Sequence, residues 1–213
     1  MDNQDMLLGY YICKYGKCPE FLKGISDRFL SVSYCLCEHE PRIGYTHGWK
    51  PDGDKKEYIE SLLMSTERYI KMSSEINELF NQNVFFGDGR FFDYKDAYYF
   101  YDTYFKKLDF KLVAVTMNES YFNLIKEELK VNVNKDCDMS GKYKHIGCDI
   151  IGWDKSGFHS FLCNSFHKDY PNLKFNKYGL VDDNYSTIEM ISKEIQGQGE
   201  PVDWIPVNIY LCD

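Results

Sequence analysis

The sequence predicts an α+β, or mixed α/β, domain in which helices pack on a single sheet of about five strands. Three observations carry that expectation. Apolar residues make up 44% and aromatic residues 17% of the 213 positions, enough apolar surface to offset the chain entropy of folding. Short runs of β-branched and aromatic residues recur along the chain, which is the composition of strands. Between them lie stretches with helical spacing and their own capping residues, so strands and helices are interleaved around one sheet. A single domain, residues 1–213, is the expected organisation at this length.

Taken in order, residues 6–14 (MLLGYYICK) read as a strand with apolar side chains on both faces, followed by a turn over residues 15–19. Residues 29–37 predict a second strand, with Val32, Tyr34 and Leu36 on one face and Ser31, Ser33, Cys35 and Cys37 on the other. Two prolines and three glycines make residues 38–54 an irregular loop. Asp54 then caps one long central helix, residues 55–80, the most regular helical period in the chain. Residues 84–92 (VFFGDGRFF) suggest a hairpin or tight bend. Asp93 caps a tyrosine-rich helix to about residue 108, and a strand at 110–116 with Asn118 capping a helix to 129 forms one βα unit.

Residues 131–144 are polar and read as a loop. A strand-like run at 148–151 leads into a Gly152-Trp153-Asp154 turn and a short helix carrying His159, Cys163 and His167, stopped by Pro171. Ser186 with Glu189 forms a capping box for a helix that ends at Gly197. Residues 204–212 close the chain as a strand, in which Pro206 suits an edge or the strand's beginning.

Charge and composition narrow the function classes. The net charge of −8 is spread along the chain, which disfavours a phosphate backbone as partner and favours another protein with a basic surface. Apolar runs are far shorter than the roughly 20 residues that cross a bilayer, so no membrane span is expected. The acidic start, Met1-Asp-Asn-Gln-Asp, lacks the basic and apolar regions of a secretory signal, which points to the cytoplasm. Eight cysteines are too sparse for a disulfide scaffold, and free thiols are expected. The scarcity of alanine beside abundant Lys, Asn, Ile, Tyr and Phe fits a low-GC bacterium or one of its phages.

Candidate chemistry concentrates in the stretch after residue 145. On one helix, His159, Cys163 and His167 would share a face. They would not share a metal ion, because residues i and i+8 lie about 12 Å apart along a helix. Cys163 with His159 or His167 as its base would suit a hydrolase or transferase; the plainer reading packs Phe158, Phe161, Leu162 and Phe166 into a core with Cys163 as a small hydrophobe. Cys13, Cys18, Cys35 and Cys37 form a weaker metal candidate, without the usual C-x2-C knuckle. The glycine pairs at 87–89 and 197–199 lack the context of a nucleotide loop, and no cofactor is implied. With no complete catalytic constellation, the leading expectation is a non-catalytic inhibitor that neutralises another protein, of toxin-immunity or phage counter-defence type. Its contacts would be Trp49, Trp153, Asp154, Asp182 and Asp183. The alternatives are the Cys163 enzyme and a protein that sequesters a small molecule.

Overall fold

The computed structural model describes residues 5–18, 20–30, 32, 64–85, 89–129, 143–154, 157–182 and 184–212. Six strands, β1 (Asp5–Lys17), β2 (Arg28–Leu30), β3 (Phe110–Asn118), β4 (Lys144–Asp154), β5 (Gly157–Ser160) and β6 (Asp203–Leu211), form one sheet in the order β2-β1-β3-β6-β4-β5. Every strand pair is antiparallel. The fold is therefore α+β, with six strands where about five were expected. The expected βα unit exists locally, yet β3 runs antiparallel to both its neighbours.

The sheet curls around its inner face. At one edge the Leu30 N–H donates to the Tyr178 carbonyl (2.8 Å), and near the other Cys148 and Val181 exchange both backbone hydrogen bonds (2.9 and 2.8 Å), so the 175–181 segment bridges towards both sides. Period-two alternation sends Tyr11, Val113, Val115, Ile151, Trp153, Ile205 and Val207 to this inner face, where helix α3 (Glu119–Leu129) adds Phe122, Ile125 and Leu129. The outer face is covered in two patches. Helices α1 (Thr66–Asn81) and α2 (Tyr94–Tyr104) cover Tyr10, Ile12, Leu112 and Ala114, whereas α4 (Tyr185–Glu194) covers Cys148, Ile150 and Trp204.

Several boundaries differ from the sequence reading, each for a local reason. The continuous helix 55–80 is not present: Met64 and Ser65 are non-helical, Ser65 is extended (φ −71°, ψ 155°), and its hydroxyl accepts from the Arg68 N–H, which starts α1 at Thr66. Residues 55–63 and Asp54 lie outside the described residues. Asp93 caps α2 as expected, taking the Lys95 N–H at 2.7 Å. The turn expected at 15–19 is strand as far as Lys17, held by pairing with β2. At α4 the cap is Asn184 rather than Ser186; its side-chain Oδ1 accepts from the Thr187 N–H (3.2 Å) and from the Ser186 hydroxyl (2.8 Å). Pro206 lies in an inner strand, but β3 pairs with β6 only from Asn208 onward, so the proline sits where β6 is locally an edge.

Candidate functional site

The expected Gly152-Trp153-Asp154 turn and the helix after it are replaced by a hairpin. Trp153 pairs with Phe158, Gly152 with His159 and Asp154 with Gly157, so His159 lies on β5, Cys163 in the turn that follows and His167 in a 3-10 turn, Phe166–Asp169. The shared helical stripe does not exist. Strand alternation, which buries Phe158 and Ser160 and turns His159 outward, accounts for residues 157–160 better than a helical period does.

That alternation builds a site at the hairpin's end. Trp153 points inward against Phe158 (ring centroids 5.4 Å), and its indole N–H donates to Glu128 Oε2 at 2.9 Å, meeting the need of a buried indole for an acceptor. Asp154 and His159 point outward together, with Nε2 2.7 Å from Asp154 Oδ2, while Nδ1 faces Glu200 Oε2. Asn164 donates to the other Glu200 oxygen (3.2 Å). Gly152 permits this arrangement: a Cβ there would meet Val202 Cγ2 at 2.6 Å, Trp204 at 2.9 Å and His159 Cβ at 3.1 Å.

Beside this network opens a hollow of about 720 Å³, bordered by Glu128, Trp153, Asp154, Gln196 and Asp203. Three acidic side chains, Glu128, Asp154 and Asp203, stand on its wall, and no lysine or arginine lines it among the described residues. His159, with each ring nitrogen facing a carboxylate, has neither nitrogen directed at a thiol. Among the described residues no group of three His, Cys, Asp or Glu side chains is arranged to hold a metal ion.

The other predicted residues scatter. Cys163 is half-buried, its backbone N–H directed at Ser160 Oγ (3.4 Å). His167 sets its ring perpendicular to that of Phe175 (86°), and burial holds its pKa below the usual histidine value. Asp182 is exposed on the rim of a second hollow, also about 720 Å³, between residues 169–174 and α4. Cys13 and Cys18 do not flank a turn; five residues of extended chain separate them by roughly 16 Å. Cys13 is buried on the inner face, and Cys18 donates to the Leu22 carbonyl (3.5 Å), with burial pushing its thiol pKa up. Trp49, Asp183, Cys35 and Cys37 lie outside the described residues.

Two features escaped the sequence reading. Glu128 and Asp203 line the hollow and Glu200 stands behind His159; the only sequence signal for Glu200 and Asp203 was their place around Pro201, and Glu128 had none. The second feature is a polar cluster on the outer face between the two helical patches. A β-bulge between His145 and Gly147 puts His145 on the same face as Cys148, with Nε2 3.9 Å from Sγ. Cys148 donates to Asn208 Oδ1 (3.3 Å), and Asn208, Thr116 and Tyr210 donate to Asp5 Oδ2 at 3.1, 3.2 and 3.4 Å. Burial, reinforced by Asp5, pushes the Tyr210 pKa up to about 12.

Comparison of the chain with protein-family models, with curated proteins and with solved structures finds no match in any of the three.

Proposed function

We propose that the chain is a non-catalytic binding protein that takes a basic segment of another protein into the hollow at Trp153 and neutralises that partner, as an immunity or counter-defence factor does. The observation that carries this reading is the concentration of carboxylates, Glu128, Asp154 and Asp203 on the wall with Glu200 behind His159. A lysine or arginine side chain entering there would lay its stem on Val202 and Pro201 and bring its charge to at least two carboxylates. The chain's charge of −8 would speed the encounter with a basic surface.

The test is fluorescence anisotropy with dye-labelled tetra-arginine, using tetra-glutamate as the control. Binding should weaken by about tenfold in the Glu128→Gln, Asp203→Asn double variant, the loss expected for two partly exposed charge contacts, and should fall with salt. Binding that is indifferent to both substitutions would show general acidity at work and remove the reading.

A second reading, capture of a small molecule, is favoured by the hollow at Asp182, whose walls include Tyr170, Leu173, Met190 and Ile191. Native mass spectrometry of the purified chain would reveal a retained ligand. The reading as a hydrolase or transferase requires Cys163 within reach of an available imidazole. The carboxylates on His159 and the Phe175 ring beside His167 weigh against it. Iodoacetamide labelling of Cys163 much faster than that of the other thiols would restore it.

A further inference from the structure

Resting on the reading of the Trp153 hollow as a cation site, we infer that it is one end of a longer groove that takes a two-part segment of the partner, with an apolar side chain at Leu124 and a basic one at Glu128. A separate hollow of about 580 Å³ lies along α3, bordered by Tyr121, Leu124, Trp204 and Ile205. It shares Gln196 and Asp203 with the hollow at Trp153, so the two adjoin at the start of β6. Leu124 is 67% exposed, one of the few large apolar side chains left so open among the described residues. Lys193, the one cation on this wall among the described residues, is held by Glu189 at 3.1 Å.

The spacing sets the chemistry of the occupant. Leu124 and Glu128 are four residues apart on α3, about 6 Å along its axis. Two residues of extended chain span roughly the same distance and return to the same side. An apolar residue and a Lys or Arg separated by one residue therefore match both ends. Charge complementarity favours such a segment over a second copy of this acidic chain. Addition of a strand to the open end of β6 is already blocked. Trp204 gives its N–H to the Gln196 side chain (3.2 Å), and its carbonyl accepts from Ser192 (3.1 Å) and Gln196 (2.6 Å). Pro206 has no N–H, and its carbonyl accepts from Tyr185 (3.4 Å). Recognition falls to side chains.

The test titrates N-acetyl-Leu-Gly-Arg-amide and N-acetyl-Gly-Gly-Arg-amide into the 15N-labelled chain and follows the indole N–H signals, with that of Trp153 assigned by Trp153→Phe. The leucine peptide should bind at least about fivefold tighter, the order expected from partly burying one leucine. That advantage should vanish in Leu124→Ser, or in Leu124→Gln should the serine variant fail to fold, while the glycine peptide binds either variant as before. Equal binding of the two peptides, or an advantage that survives both substitutions, overturns the groove but leaves the cation site standing. No response of Trp153 to either peptide removes both. A concentration-dependent dimer that Leu124→Ser dissolves would assign the groove to a second copy and likewise overturn the inference.

Discussion

Two histidines on the outer face of the sheet, His159 and His145, sit in opposite kinds of surroundings. At His159 four carboxylates gather around one imidazole and an open hollow. At His145 there is one carboxylate, Asp5, and three donors from Thr116, Asn208 and Tyr210 converge on it, while the neighbouring thiol of Cys148 is fully buried. The mid-sheet cluster thus saturates its acceptor internally, which is how a polar group between packed layers is tolerated. The hairpin end instead turns its carboxylates towards an open hollow. That opening separates the surface proposed to take a partner's cations from one that only joins β1, β3, β4 and β6.

Each region is shaped by a glycine, and the two glycines give the largest expected effects. Gly147 has φ +139°, and a Cβ there would meet Asn176 Nδ2 at 2.7 Å, Leu180 Cβ at 2.9 Å and the Val181 carbonyl oxygen at 2.9 Å. Asn176 cannot easily withdraw, since it donates to the Ile146 carbonyl (2.6 Å). Gly147→Val should therefore cost about 3 kcal/mol or more in urea unfolding, through strain and overpacking together. Gly152→Ala meets only side chains, Val202, Trp204 and His159, and should cost less than Gly147→Ala. If the two alanine variants unfold at the same midpoint, the bulge is not the stiffer feature and the contrast fails at its base.

Asp149 sharpens the contrast from the inner face. It lies opposite Val207 and accepts the Ile150 N–H (2.8 Å), and burial raises its carboxyl pKa to about 7. A folded-state pKa above the ordinary value means that the folded chain holds the proton more tightly. The stability this contributes is fully present below about pH 4 and is lost as pH rises through 7. Asp149→Asn keeps the acceptor and removes the charge. It should gain on the order of 2 kcal/mol over the parent chain between pH 4 and pH 8, read from denaturation midpoints at both values. Parallel pH profiles for parent and variant would show that this carboxyl is solvated in both states.

Strand composition and caps were legible where the residues act locally: β1, β3 and β6 follow their aromatic and branched runs, and Asp93 caps α2 as its side chain suggests. The hairpin was not. FHSF at 158–161 suits a strand end or a helix start equally, and what decides is pairing with Ile151, Gly152 and Trp153, a contact no local pattern records. Trp153 and Asp154 border the hollow, but the sequence placed the indole at the surface, whereas alternation buries it. Glu128, Glu200 and Asp203 come from α3, from the segment before β6 and from β6 itself, so only the closed sheet brings them together.

The smallest expected effect is the most discriminating one. His159 and a partner's cation compete for the same carboxylate oxygens of Asp154 and Glu200, since an imidazole N–H and an ammonium or guanidinium N–H are alternative donors to one acceptor. His159→Gln removes the imidazole that faces both carboxylates, while Asn164 stays on Glu200. Stability should fall by about 1 kcal/mol, in keeping with a partly exposed ion pair. Tetra-arginine should bind about two- to fivefold tighter, because acceptors freed from the fold become available to the ligand. His145→Gln, set in the saturated cluster, should leave that affinity unchanged. A purely structural role for His159 would lower stability and affinity together. Opposite signs at His159, with silence at His145, would establish that the carboxylates around His159, and not the mid-sheet cluster, take the ligand.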